Sequence, residues 1–174
     1  GRTSLLVVAA DSPLRNVAEL RGTILAMPDK LSLISLAGLY YIKKHGLRPD
    51  TDFTLLDKRS HYDAVVSVVQ GNSSAALTSS VALSQMPQAV QDGVRIIASA
   101  DTPSDIMYIA NPRLGPDEIR KCISVLVKFA QTSPQGRNFF RNSGYNGFQL
   151  VSDEELRSLD PYVQEIKPYL DMAP

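Results

Sequence analysis

The fold of this chain is decided by the stretch MPDKLSLIS, residues 27–35. This stretch follows a short apolar strand predicted at residues 23–27 and leads into a helix predicted over residues 33–45. A strand that enters a helix through a hydroxyl-rich turn is a common anion site, because free backbone N–H groups and the positive end of the helix dipole face the ligand. Alternatively, Ser32 only caps the helix, and the turn by itself favours that simpler interpretation.

Strands and helices alternate on both sides of this turn. Apolar and β-branched runs predict strands at residues 5–10, 23–27, 53–56, 74–79 and 94–98, with helical patterns between them. This order, with short connections, predicts an α/β fold with a mostly parallel sheet flanked by helices. In such sheets ligands bind outside the carboxyl ends of the strands.

The carboxyl-terminal part of the chain has a different pattern. Residues 106–110 are predicted as a strand, and the residues after them form helices. Cys122 falls on the same face of a long helix as Ile119, Ile123 and Leu126. We therefore expect this cysteine to be a core residue rather than a nucleophile.

The composition excludes several classes of partner. Eighteen basic and eighteen acidic residues cancel, with no basic block or acidic tail, so the sequence predicts no nucleic-acid partner and no membrane-surface patch. One cysteine and two histidines leave no plausible zinc cluster. A small ligand and no cofactor fit these observations best.

A second helix start lies at residues 60–63, SHYD. Ser60 and Asp63 have capping-box spacing, with aspartate in the place usually held by Glu or Gln. Without other information, His61 would be a solvent-facing residue at a helix start. Ser60, His61 and Asp63 are the residue types of a hydrolase triad, but their adjacency on one helix turn prevents the relay geometry, so we predict no enzyme.

Taken together, these pieces resemble the phosphonate-binding periplasmic substrate-binding proteins of ABC transporters, a branch of the type 2 periplasmic binding protein fold. The resemblance covers nearly the whole chain. Its residues are LVVAADSP at 6–13, LRGTILAMPD at 20–29, SHYDAV at 60–65, VVQG at 68–71, PSD at 103–105 and TSPQG at 132–136. The serine-histidine helix start downstream of the serine-bearing turn is its most specific part.

The resemblance implies an extracytoplasmic solute-binding protein. Such a protein would bind a small anionic or zwitterionic ligand, phosphonate- or phosphate-like, and deliver it to an ABC permease from the periplasm or from an extracellular, membrane-anchored position. The alternative is a ligand-sensing domain of a signalling receptor with the same fold.

The resemblance also implies a site. It places the acidic oxygens of the ligand near the two helix starts and the amine of an aminophosphonate near Asp105, whereas a second amine-binding position falls at Ser79 and Ser80, which are not acidic. The expected ligand-binding residues are Ser32, Ser35, Ser60, His61, Thr78, Ser79 and Asp105. The turn departs from the family because Lys30, Leu31, Leu33 and Ile34 interrupt its hydroxyl run.

Members of the family are two-lobed and longer than this sequence. By comparison, residues 10–105 would form the α/β ligand-binding lobe, residues 106–174 the return strand and helices of an incomplete second lobe, and residues 1–9 a crossing strand. Helices without most of their lobe would expose apolar surface. We therefore expect a homodimer, a domain swap or a partner chain that supplies the missing part.

Overall fold

A computed structural model of the protein describes residues 3–102, 107–143 and 145–170, the side chains of residues 168–170 excepted. The chain divides into two compact units, the first made of Gly1–Asp105 with Arg157–Pro174 and the second of Ile106–Leu156. The lobe boundaries given above refer to a larger two-lobed fold and stay a prediction.

The first unit is built on a five-stranded sheet. Its strands are β1 (Thr3–Ala9), β2 (Ile24–Met27), β3 (Thr54–Asp57), β4 (Ala75–Ser79) and β5 (Val94–Asp101). They lie in the order β3-β2-β4-β1-β5. β2 pairs in parallel with β3 and β4, whereas β1 pairs antiparallel with β4 and β5. The sheet predicted as mostly parallel is therefore a mixed sheet in which β1 alone runs against the other four strands.

Helices follow most strands. In chain order they are α1 (Leu33–Lys44), α2 (His61–Val69), α3 (Ser80–Ser84), α4 (Gln88–Asp92), α5 (Gly115–Thr132), α6 (Pro134–Ser143), α7 (Asp153–Arg157) and α8 (Asp160–Leu170), with 3₁₀ turns at Val17–Leu20 and Pro112–Leu114. The helix predicted over residues 33–45 is present as α1, and the helix start predicted at residues 60–63 is the start of α2. No helix in the described part of the chain is both long and apolar enough to cross a membrane.

The core of the first unit has two layers, one on each face of the sheet. Leu6 and Val8 of β1 point into the layer that contains Leu39 of α1. Leu5 and Val7 point into the opposite layer, which contains Val65 of α2. This alternation explains why β1 is one continuous apolar run, since both of its faces are buried.

α8 packs on α1 within the first unit. The rings of Tyr40 and Tyr162 meet edge to face with centroids 5.7 Å apart, and Lys43 forms an ion pair with Glu165. Burial raises the pKa of the Tyr162 phenol, and the neighbouring Tyr40 raises it further. These contacts join the end of the chain to the helix that follows the turn at residues 27–35.

The second unit contains the helices α5 and α6 and a group of aromatic side chains that contact one another. α6 approaches α5 so closely that a Cβ on Gly136 would stand 2.1 Å from the carbonyl oxygen of Phe129. The ring of Phe148 contacts both Tyr108 and Phe140 edge to face, with centroids 5.3 and 5.1 Å apart.

Two predictions for the second unit are wrong. Residues 107–110 form no strand, and residue 106 lies outside the described residues. Cys122 is exposed, not buried. Both errors have one cause, because an apolar segment becomes a strand or a core residue only when a partner covers it, and α5 has no fully buried residue.

Candidate ligand-binding site

Three helices of the first unit begin at one edge of the sheet. β2, β3 and β4 are mutually parallel neighbours, so their carboxyl ends meet at this edge. α1 follows β2, α2 follows β3 and α3 follows β4. We call this edge the carboxyl edge; it is the place where ligands bind in open α/β sheets.

Each of these helices is capped by a serine. The Oγ atoms of Ser32, Ser60 and Ser79 accept hydrogen bonds from backbone N–H groups three residues further on, at 3.2, 3.0 and 3.0 Å respectively. Such a cap leaves the N–H groups of the first two helical residues without an intrahelical acceptor. α1 and α2 are the longer two of these helices, so their N-termini carry the stronger partial positive charge.

Within the turn before α1, the two predicted serines have different surroundings. Ser35 is fully buried, and its hydroxyl donates to the carbonyl oxygen of Pro28 at 3.2 Å. It also lies 3.2 Å from the hydroxyl of Ser32. Ser32 is only half-buried. Ser35 therefore holds the turn, while Ser32 is the hydroxyl nearer to solvent.

His61 and Thr78 are brought together from two different elements. His61 is the first residue of α2, and its Nδ1 atom lies 3.2 Å from Oγ1 of Thr78 near the end of β4. Thr78 is fully buried, whereas His61 is half-buried. The hydrogen bond fixes the imidazole at the carboxyl edge, next to the start of α2.

The arrangement is suited to binding an anion. Backbone N–H groups, serine hydroxyls and an imidazole are donors that an oxyanion can accept from. The Ser60 hydroxyl is held by the N–H of Asp63, and the described Nδ1 contact of His61 is with Thr78 rather than with Ser60. In the described ranges no cluster of three or more His, Cys, Asp or Glu side chains could hold a metal ion.

Comparison with known protein families identifies the chain. Residues 1–156 match the family model described as the phosphonate, periplasmic substrate-binding protein of ABC transporters. The chain belongs to this family. The resemblance stated from the sequence is thereby confirmed, and the family is one of transport binding proteins rather than of enzymes. A search of curated protein sequences finds no significant match.

Several solved structures share the fold of the chain at low sequence identity. XAC2383 from Xanthomonas citri bound to ATP is 18% identical with a TM-score of 0.80, and the match covers 99% of this chain and 68% of that one. PhnD1 from Prochlorococcus marinus in complex with methylphosphonate is 12% identical with a TM-score of 0.73, covering 95% of this chain and 67% of that one.

A binding protein component of an ABC phosphonate transporter from Pseudomonas aeruginosa is 16% identical with a TM-score of 0.70. The match covers 95% of this chain and 58% of that one. These likenesses confirm the predicted α/β, type 2 periplasmic-binding-protein fold. They also show that the chain spans between 58% and 68% of the length of the three solved proteins.

The expected site residues of the family separate into three groups. Ser32, Ser60, His61, Thr78 and Ser79 lie at or next to the carboxyl edge, as predicted from the sequence order. Ser35 lies beneath the first turn of α1. Asp105 lies outside the described residues.

Two cations at the same edge are not among the residues expected from the sequence. Lys58 and Arg59 connect β3 to Ser60, the cap of α2, and Lys58 is half-buried while Arg59 is exposed. Neither side chain forms an ion pair among the described residues. The sequence signal for Lys58 and Arg59 is two consecutive cations between a strand end and a helix cap.

Proposed function

We propose that the first unit binds a small anionic or zwitterionic ligand, phosphonate- or phosphate-like, at the carboxyl edge, for uptake by an ABC transporter. The main support is the hydrogen bond between His61 and Thr78, because it holds a donor-bearing imidazole beside the start of α2 and at the end of β4. An oxyanion there would accept hydrogen bonds from helix N–H groups and from the side chain at once.

Each expected residue has a role in this proposal. Ser32, Ser60, His61 and Ser79 donate to the ligand or fix the helix starts that do, and Thr78 orients His61. Ser35 acts indirectly, because its buried hydroxyl holds the turn that presents Ser32. Asp105 receives the amine of a zwitterionic ligand, a role that rests on the sequence resemblance alone.

The proposal includes no catalysis. The Ser60 hydroxyl accepts from the N–H of Asp63 as the cap of α2, and the described hydrogen bond of His61 is with Thr78. The protein would act in the periplasm, or outside the cell with a membrane anchor, and would hand its ligand to an ABC permease. The family match gives no support to the signalling alternative.

The test is a binding measurement with a matched histidine control. Titration calorimetry with methylphosphonate, 2-aminoethylphosphonate and inorganic phosphate should give saturable binding to at least one of them. His61→Ala should weaken that binding by about ten- to a hundredfold, the loss expected for a hydrogen bond to a charged group.

His45 is the control because it is the other histidine of the chain and lies at the opposite end of α1 from Ser32. Its Nδ1 atom is 2.8 Å from the carbonyl oxygen of Tyr41, so it serves the helix end. His45→Ala should leave the affinity unchanged. No binding of any of these anions, or equal losses in the two variants, would refute the proposed site.

The second unit supports a proposal about partners. Ile109, Val125 and Leu150 expose 90, 67 and 69% of their surface, which is unusual for large apolar residues. A second copy of the chain or a partner chain would cover this surface. Sedimentation equilibrium should give a mass above that of one chain, and Val125→Lys should lower it; a monomer at all concentrations would contradict the homodimer.

A further inference from the structure

Lys58 has a fixed place at the carboxyl edge. Its backbone N–H donates to the carbonyl oxygen of Met27 at 2.9 Å, which continues the pairing of β3 with β2 one residue beyond the strand. Ser60 caps α2 two residues later. The two cations Lys58 and Arg59 are therefore held between a strand ladder and a helix cap.

The register of the sheet places Lys58 on the face that α2 covers. Leu56 pairs with Ala26, and Asp57 pairs with Met27. Ala26 belongs to the core layer under α2, and Met27 to the layer under α1. Because side chains alternate along a strand, Asp57 is on the α1 face and Lys58 on the α2 face.

The same register aligns Lys58 with Thr78. Leu25 of β2 pairs with Leu55 of β3 on one side and with Ala75 of β4 on the other. Lys58 and Thr78 each lie three residues beyond these partners, so they are at the same level along the sheet. Leu77 lies in the layer under α1, hence Thr78 is on the α2 face together with Lys58. β3 and β4 lie on the two sides of β2, about 10 Å apart, which is twice the spacing between neighbouring strands.

A ligand beside His61 would therefore have a cation on one side and the His61–Thr78 pair on the other. The acidic groups nearest in sequence do not neutralise this cation. Asp57 is on the opposite face, and the exposed Asp63 forms no ion pair with it. Hydroxyl and N–H donors can bond to an oxyanion of either charge, whereas a lysine adds a full positive charge whose attraction doubles with the charge of the ligand.

We propose that Lys58, with Arg59 as a more exposed second cation, makes the site select dianionic phosphonates over monoanionic sulfonates of the same shape. This inference rests on the proposed function of the carboxyl edge. It assigns to residues 58–59 the recognition of the second negative charge.

The experiment compares two ligands that differ in charge, methylphosphonate and methanesulfonate, at about pH 8.5, where the phosphonate is largely dianionic. The measured quantity is the ratio of their dissociation constants for the purified protein. Lys58→Gln should reduce the preference for methylphosphonate about tenfold, mainly by weakening methylphosphonate binding. Lys58→Arg should keep the preference, since the charge stays.

Arg15→Gln is the matched control. Arg15 is exposed and follows the carboxyl end of β1, which is antiparallel to β4, so it belongs to the opposite edge of the sheet. The Arg15→Gln substitution removes the same unit of positive charge. The preference for methylphosphonate should then change by less than about twofold, because solvent screens distant surface charges.

An unchanged preference in Lys58→Gln, an equal loss for both ligands, or the same loss in Arg15→Gln would overturn the inference while leaving the site intact. A wild-type protein that binds neither ligand would overturn this inference, and it would overturn the proposed function as well if 2-aminoethylphosphonate and inorganic phosphate also fail to bind.

Discussion

Gly38→Ala should destabilise the first unit, although the substitution places alanine in a helix. Gly38 lies in α1, where an added Cβ would stand 2.6 and 2.8 Å from the two δ carbons of Leu77 and 2.9 Å from Oγ of Ser4. Both neighbours are buried, at 1 and 2% exposure. Ser4 cannot yield freely either, because its hydroxyl donates to the carbonyl oxygen of Ile34 at 2.8 Å.

The magnitude follows from two opposing terms. Alanine gains up to about 1 kcal/mol over glycine inside a helix, whereas one extra carbon in a packed core costs about 1–3 kcal/mol. The net loss in the free energy of unfolding should be about 1 kcal/mol, which lowers Tm by about 3 °C for a chain of this size. Urea unfolding followed by circular dichroism measures the free energy directly.

A double-mutant cycle tests the cause. Leu77→Ala alone removes a buried side chain and should cost about 2–5 kcal/mol. If the δ carbons of Leu77 are the obstacle, Gly38→Ala should become neutral or stabilising in the Leu77→Ala background, with a coupling of about 1–2 kcal/mol. Additive losses would refute the role of Leu77, and a Gly38→Ala variant more stable than the wild type would refute the predicted clash as a whole.

Three further predictions concern other parts of the chain. Gly136→Ala should destabilise the second unit by about 2 kcal/mol or more, because its Cβ would meet a backbone oxygen of Phe129 at 2.1 Å; hydrogen exchange should rise in α5 and α6 and not in β1–β5. Ser60→Ala should cost about 1 kcal/mol through the lost cap, whereas Ser60→Asp should keep the stability and lose the anion, as calorimetry would reveal. The pKa of Tyr162 is raised in the folded state, so its neutral phenol contributes stability below pH 10 that is lost as the pH rises through the folded-state pKa. Tyr162→Phe should therefore make the free energy of unfolding depend less on pH above pH 10.

The helix starts were predictable because their information is local. Ser32 and Ser60 precede apolar helical patterns, and both accept the expected cap hydrogen bond. The order of strands and helices is also local, and it places Ser32, His61 and Thr78 at one edge as soon as β2, β3 and β4 are taken as parallel neighbours. Family membership agrees with the family that the sequence resembles.

The direction of β1 was not predictable in the same way. A strand buried on both faces is a continuous apolar run in either direction. Only its pairing with β4 and β5, more than 65 residues away along the chain, fixes the direction. The errors at Cys122 and residues 107–110 are of the same kind, since burial and strand pairing need a partner that the local pattern does not contain.

Lys58 was missed for a different reason. Hydroxyls and imidazoles at helix starts are visible in the sequence itself, whereas the importance of Lys58 comes from the sheet register that sets it level with Thr78. A lysine after a strand is ordinarily a solvated surface residue. Lys58 differs from such a residue because it lies across β2 from Thr78, the partner of His61.

The same register gives the carboxyl edge two separable properties. The serine caps and the His61–Thr78 hydrogen bond fix the donors before any ligand arrives, so little side-chain ordering remains to be lost on binding. These donors suit any tetrahedral oxyanion, and they would set the affinity common to phosphonates and sulfonates. A half-buried lysine with a flexible four-carbon stem contributes mainly charge, so it would set the preference between them. Variants of His61 should therefore change both affinities together, and variants of Lys58 should change their ratio.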